Sequence, residues 1–215
     1  MLKLFRIKLC GFTRAQDVRA AVMAGADAIG FQMSRGPRKI DPEKARRLVR
    51  LLPPWVTPVG VFVEEPLTRL NRWIRFCGFQ VAQLHGDEDG DYARGVVVPV
   101  IKALRLKKAL IPASFRGYSV AAFLLDRYNR TLSGGTGQTV PRTWVRKAPQ
   151  LSAPFLLAGG INPENVDSAI RRIKPFGVDA ASGVEISPGI KDPRRMVLFV
   201  NRAQAAFQSL QLGIH

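Results

Sequence analysis

The strongest constraint on the fold of this chain is a recurrence: eight short apolar runs, separated by helix signals or compressed connections and without a repeat of hairpin turns. Residues 4–9, 27–33, 57–63, 80–84, 96–103, 119–125, 154–158 and 178–181 read as strands. The punctuation between them is helical. Thr13-Arg14-Ala15-Gln16 has the spacing of a capping box, and the helix it opens closes at Gly25. Asp41-Pro42-Glu43 and Asn162-Pro163-Glu164 each place a capping side chain before a proline at the first helical position. Residues 66–76 carry Leu67, Leu70 and Ile74 on one face and end at Gly78, and residues 193–207 form the last helix. Residues 87–95 leave room for little more than one helical turn, and residues 104–117, with Pro112, are equally weak.

Strands that follow one another through crossovers pair in parallel. Eight of them point to the α/β class and a closed parallel (βα)8 barrel, the TIM-barrel architecture, with shortened helices four and five; an open doubly wound sheet is the alternative. With 215 residues, 47% of them hydrophobic, one domain spanning residues 1–215 can bury a sizeable core.

Charge and cysteine content narrow the function. Lys+Arg 33 against Asp+Glu 16 gives a formal net charge of +17, which steers anionic ligands toward the protein and attracts nucleic acid without specificity. The basic residues are spread over most of the expected helices (Arg46, Arg47 and Arg50; Arg69, Arg72 and Arg75; Arg171 and Arg172; Arg194 and Arg195), as on solvated outer faces. No specific nucleic-acid partner is expected. No apolar run approaches the ~18–20 residues of a membrane span, and the N-terminus lacks the order of a secretory signal, so the expectation is a cytoplasmic protein without a membrane partner. Cys10 and Cys77 lack zinc-ligand spacing, and no metal is expected. Cys77 ends the third helix, near the rim away from Cys10, so the two are read as unpaired and Cys77 as structural.

In a parallel barrel, chemistry gathers where the strands end. Cys10 ends the first strand, His85-Gly86 follows the fourth, Asp126 ends the sixth, Gly159-Gly160 follows the seventh and Ser182-Gly183 follows the eighth. Each alone has an ordinary structural reading: a core thiol, a hydrogen-bonded filler, a turn residue. Five at one rim do not. Backbone N–H groups of loops at helix starts surround an anion only where no side chain blocks its approach. Gly159, Gly160, Ser182 and Gly183 therefore form a candidate phosphate site, the other reading being that these glycines only permit tight turns.

Several segments, in order and over nearly the whole chain, resemble the phosphoribosylanthranilate isomerase family: Lys8-Leu9-Cys10-Gly11-Phe12-Thr13, Gln83-Leu84-His85-Gly86, Leu124-Leu125-Asp126, Gly134-Gly135-Thr136-Gly137, Ala158-Gly159-Gly160-Ile161-Asn162-Pro163-Glu164-Asn165, and Val178-Asp179-Ala180-Ala181-Ser182-Gly183-Val184-Glu185 through Pro188-Gly189 to Lys191-Asp192. The resemblance implies an eight-stranded barrel that performs an Amadori rearrangement of N-(5-phosphoribosyl)anthranilate in tryptophan biosynthesis, without cofactor, on a small phosphosugar as its only partner apart from a second copy; monomer and homodimer both remain open. It implies Cys10 as general base, Asp126 as general acid, and Arg38 as the arginine that holds the anthranilate end, with Arg35 as a substitute. His85 and Asp179 are implied in placing the substrate or supporting Cys10, and residues 134–137 in covering the site.

These roles make physical demands. A thiol of pKa ~8.5 is only a few per cent thiolate at neutral pH, so a base needs a lowered pKa, for which the following helix N-terminus and Lys8 or Arg14 are the available sources. The direction in which Lys8 points is left open. A carboxyl of pKa ~3.9 is nearly all ionised at pH 7, so an acid needs burial, here beside Leu124 or Leu125, or help from the substrate. The chain departs from the family pattern in its short second loop, Ser34-Arg35-Gly36-Pro37-Arg38, in residues 138–144 and in its trimmed fourth and fifth helices. Two other readings are a related barrel acting on an imidazole-type ribonucleotide, which places an Asp where Cys10 stands, and a catalytically silent barrel that binds RNA through its charge.

Overall fold

The computed structural model describes residues 6–127 and 140–212. Its frame is a closed parallel barrel in which β1 (Ile7–Cys10), β2 (Ala28–Gln32), β3 (Thr57–Phe62), β4 (Val81–Leu84), β5 (Val100–Leu106), β6 (Ala122–Arg127), β7 (Phe155–Leu157) and β8 (Gly177–Ala180) pair in sequence order, and β1 closes on β8. The open-sheet alternative is excluded. The helices are α1 (Ala15–Met23), α2 (Pro42–Val49), α3 (Leu67–Cys77), α4 (Gly90–Arg94), α5 (Arg142–Val145), α6 (Val166–Ile173) and α7 (Pro193–Leu212). Between β5 and β6 the described chain has only the 3-10 turn Pro112–Phe115, and α4 is a single turn, as the short connections require.

Alternation along each strand divides the apolar residues into two layers. Leu9, Ile29, Phe31, Phe62, Leu84, Phe123, Leu125 and Leu157 face the helices, which return Val18, Leu48, Leu70, Ile74, Ile170 and Phe199. Inside the barrel lies a smaller cluster of Ala28, Val59, Val81, Ile101, Ala103, Ala122, Leu124, Leu156 and Ala158. Local signals explain two of the boundaries. Asp41 caps α2, its carboxylate accepting from the Lys44 N–H at 2.7 Å, and Gly78 ends α3 in the left-handed region at φ 80°.

Other boundaries depart from the sequence reading, each for a visible reason. No capping box forms at Thr13: the Thr13 hydroxyl donates instead to the Gly189 carbonyl at 2.6 Å, and Arg14 occupies the N-cap position without a side-chain cap. α6 begins at Val166 because Asn162 and Asn165 hold the preceding turn reciprocally, Asn162 Oδ1 accepting from the Glu164 and Asn165 N–H groups and Asn165 Oδ1 from the Asn162 N–H. β5 starts four residues later than expected, and α7 continues to Leu212. A hairpin of β9 (Glu185–Ser187) and β10 (Ile190–Lys191), which the sequence reading had not separated from the loop after β8, turns at Pro188-Gly189. Residues 134–137 lie outside the described residues. No helix among those described is long and apolar enough to cross a membrane.

The packing predicts graded losses on truncation. Leu70→Ala, which empties a fully buried position between α3 and the barrel, should cost about 2–5 kcal/mol in urea unfolding. Asp41→Ala, which only frees one helix end, should cost about 1 kcal/mol.

Candidate active site

The outward face of β1 is apolar, Ile7 and Leu9 both lying in the helix-facing layer, so alternation turns Lys8 and Cys10 together into the barrel. A lysine there must be paired. The β1–β8 register sets Lys8 opposite Asp179, and Lys8 Nζ donates to Asp179 Oδ1 at 2.8 Å with the lysine fully buried. On the other side of β1, Cys10 pairs with Gly30 of β2. A Cβ at Gly30 would fall 2.6 Å from Cys10 Sγ and 3.2 Å from Lys8 Nζ, so the missing side chain makes room for both.

A second buried lysine approaches from the hairpin. Lys191 Nζ donates to the Cys10 carbonyl at 2.5 Å, to the Ala181 carbonyl at 3.1 Å and to Glu185 Oε1 at 2.8 Å. Glu185 in turn grips Arg38, whose Nε donates to both carboxylate oxygens at 2.9 and 3.1 Å and whose Nη2 donates to Oε2 at 2.6 Å. The arginine side chain lies across Gly11, directly after Cys10, where any Cβ would collide with it. Thr13 fastens the hairpin turn from α1's side.

The electrostatics follow from burial set against these partners. Burial pushes the Cys10 thiol upward, Lys8 opposes the shift, and the thiol stays above its ordinary value. This corrects the expectation of a lowered pKa: the cations offset desolvation in part, and Arg14 contributes nothing because Asp17 holds it at 2.9 and 2.8 Å. Burial lowers Lys8, but Asp179 and Cys10 outweigh it and keep Lys8 above its usual range. Burial likewise raises Glu185, yet Arg38 and Lys191 hold its carboxyl below the usual carboxylate range. Desolvation wins at Lys191, which lies below the ordinary lysine value despite Glu185.

Asp126 projects from β6, three strands from β1 through β7 and β8. One quarter of its side chain is exposed, so the enclosure expected from Leu124 and Leu125, which pack elsewhere, is partial. His85 Nε2 stands 3.4 Å from Asp126 Oδ2, and His85 Nδ1 is 3.0 Å from the Gln83 amide nitrogen. With that amide donating, Nδ1 accepts and the ring presents Nε2–H to the carboxylate. Gly159, φ 75°, lets the carboxyl lie against the loop after β7, since a Cβ there would stand 2.5 Å from Asp126 Oδ1.

The two glycine loops meet. Gly160 has φ 70°, and a Cβ at Gly183 would fall 2.9 Å from the Asn162 Cα, so the loop after β7 and the 3-10 turn Ser182–Val184 are in contact. Arg195 braces the second loop, donating from Nε to the Gly183 carbonyl at 3.0 Å. Gly159, Gly160, Ser182 and Gly183 thus share one side of the rim with Asp126.

Cys10, Arg38, His85, Asp126, Gly159, Gly160, Ser182 and Gly183 therefore lie at or just after strand ends. Arg38 sits beside Cys10, whereas Arg35 is on the surface against Glu64 at 3.3 Å. Asp179 is engaged by Lys8. Cys77 is buried far from this rim, its thiol donating to the Pro42 carbonyl at 3.4 Å and pushed up to about 12 by burial. Lys8, named from the sequence as a source of charge for Cys10 with its direction left open, points into the barrel beside the thiol, whereas sequence reasoning missed Glu185 and Lys191 as parts of the site. Alternation along β1 carried the signal for Lys8, and the Pro188-Gly189 turn the signal for the hairpin. Among the described residues no cluster of His, Cys, Asp and Glu is arranged to hold a metal ion.

Comparison with known proteins agrees with this geometry. The profile of a family described as N-(5'phosphoribosyl)anthranilate (PRA) isomerase matches residues 7–202. The N-(5'-phosphoribosyl)anthranilate isomerase of Chlorobaculum tepidum is 44% identical over 215 residues, covering 95% of this chain and 97% of the relative. Among solved structures, the phosphoribosyl anthranilate isomerase of Thermus thermophilus superposes with a TM-score of 0.85 at 37% identity, covering 93% of this chain and 98% of that one. A phosphoribosyl anthranilate isomerase in complex with reduced 1-(o-carboxyphenylamino)-1-deoxyribulose 5-phosphate superposes with a TM-score of 0.80 at 33% identity, covering 94% and 100%. Monomers generated from the dimeric enzyme of Thermotoga maritima give 0.80 at 32% identity, covering 94% and 100%. The chain belongs to the N-(5'-phosphoribosyl)anthranilate isomerase family.

Proposed function

We propose that the chain converts N-(5'-phosphoribosyl)anthranilate into 1-(2-carboxyphenylamino)-1-deoxyribulose 5-phosphate, the aldose-to-ketose step of tryptophan biosynthesis, acting in the cytoplasm. The observation that carries this reading is the sharing of one rim by a thiol, a carboxyl and two abutting glycine loops. The reaction needs a proton added at the ring oxygen and another removed from C2 of the sugar. Asp126 donates the first, which opens the ring to a protonated imine. Cys10, as thiolate, takes the second; the electron pair of the broken C–H bond forms the enamine, and its tautomerisation leaves the ketone at C2. C1 is reduced as C2 is oxidised, so the electrons balance within the substrate. His85 Nε2–H orients the Asp126 carboxyl, and Gly159, Gly160, Ser182 and Gly183 receive the phosphate. Arg38 receives the anthranilate carboxylate through Nη1, its Nε and Nη2 being held by Glu185.

Turnover of phosphoribosylanthranilate tests the roles. Cys10→Ala and Asp126→Asn should each lower kcat by about 10²–10⁴-fold, and near-normal rates in both would sink the mechanism. Because the base works deprotonated and its thiol lies above the ordinary value, the pH profile of kcat/KM for the wild type should carry an inflection on the alkaline side of an ordinary thiol that is missing from Cys10→Ala. Gly159→Ala should lower kcat by displacing Asp126, while the unfolding midpoint changes little more than for other left-handed glycines.

We also propose a homodimer. The face opposite the site has a cavity of about 730 Å³ bordered by Arg6, Asp27, Gln80, Phe207 and Gln208, with Trp55 at its edge and 75% exposed. An indole that open to water is poorly placed in a monomer and well placed to enter the cavity of a second copy. Sedimentation should show a dimer for the wild type and a monomer for Trp55→Glu; identical profiles would exclude this interface.

A further inference from the structure

We infer that Lys8 is a positioning residue for the proposed reaction: its ammonium, fixed by Asp179, stabilises the Cys10 thiolate. The inference rests on the reading of Cys10 as the base. Lys8 is fully buried, two residues before Cys10 on the same face of β1, and its Nζ shares with Sγ the space left by the absent side chain of Gly30. Both atoms therefore lie within the ~4–6 Å over which an opposite charge favours the ionised form. Asp179, aligned across the barrel seam, fixes the ammonium at 2.8 Å, so no rotation is needed when the thiolate forms.

Lys8 on β1, Asp179 on β8, Lys191 on β10 and Arg38 after β2 act on Cys10 directly, and Glu185 on β9 pairs with Lys191 and Arg38. Three cations against two carboxylates leave one positive charge in excess while Cys10 is a thiol. Ionisation of Cys10 balances the cluster. Lys191 is the more distant cation in its chemistry, because its three donors are committed to the Cys10 and Ala181 carbonyls and to Glu185. Lys8 has one partner at Asp179 and retains donors on the thiol's side. Stability alone gives little reason for an ion pair here, since apolar residues of similar volume commonly stabilise a barrel interior as well or better.

Lys8 and Asp179 act on the thiol with opposite sign, and this separates tuning from scaffolding. The test measures iodoacetamide alkylation of Cys10 against pH, in a Cys77→Ala background, beside the pH profile of kcat/KM. Lys8→Met should move both midpoints up by about one pH unit or more, with about tenfold lower kcat/KM below the midpoint. Asp179→Asn should move them down. Removing one partner leaves a buried unpaired charge, so Lys8→Met/Asp179→Leu keeps the interior neutral if a single variant unfolds, and it should shift the midpoint up. Unmoved midpoints in folded variants, or shifts of the same sign for Lys8→Met and Asp179→Asn, would overturn the inference. If Cys10→Ala keeps its turnover, the base reading fails instead, while the alkylation midpoints still report whether Lys8 holds the thiolate.

Discussion

Lys8 and Asp179 meet at the seam where the first strand closes on the last, and much of the site depends on that contact. Either charge alone inside a barrel costs several kcal/mol, whereas the pair at 2.8 Å is tolerable. A slip of one residue in β1 would send Lys8 into the apolar layer under the helices and turn Leu9 inward, so the ion pair penalises every register but one. The same register carries Cys10 to the mouth of the barrel, next to Gly30. Closure of the fold and delivery of the thiol are therefore one event.

The hairpin after β8 adds a second arm with the same logic. Lys191, in the hairpin, ties it to the ends of β1 and β8 through the Cys10 and Ala181 carbonyls, and Glu185 passes the constraint to Arg38. The arginine can lie against Cys10 only because Gly11 has no side chain. Thr13, freed from capping, reaches the hairpin turn. Charge thus acts at two scales. Arginines on the exposed helix faces supply the long-range field that favours encounter with a phosphorylated, carboxylated substrate. At the mouth the cations are instead buried and paired, in surroundings where water screens them less.

The barrel was legible because its signals are local: alternation in the strands, Asp41-Pro42 and Gly78 at helix ends, and connections too short for helices four and five. Cys10 and Asp126 were legible because a strand end is a place that the sequence itself marks. What failed were contacts between distant segments. Thr13 has a capping box spacing, but a carbonyl of the hairpin, 176 residues on, is the better partner. Asn162 looked like a cap until its reciprocal bonds with Asn165 delayed the helix. Lys8 was named as a source of charge for Cys10 but its direction was left open, although the alternation that turned Cys10 inward applies equally two residues earlier. The sign of the shift at Cys10 was out of reach, because it is a balance between burial and three charges, Lys8, Asp179 and Lys191, on separate elements.

In the proposed reaction, that balance is what lets a base sit where burial opposes its ionised form. A thiol flanked by free cations in water would be ionised more readily, but its thiolate would be hydrated and its neighbours mobile. Enclosing the group raises the cost of ionisation and at the same time strengthens each fixed interaction with it. The buried lysines recover part of that cost, and they are held in place beforehand by their carboxylate partners. Their carboxylate partners limit how much is recovered, and the limit has a use: a thiolate held too firmly by unpaired lysines would be a weaker base toward carbon. Asp179 and Glu185 therefore keep the lysines paired and moderate them at once, so in the proposed reaction the reactivity of Cys10 is set by pairs of residues rather than by single charges.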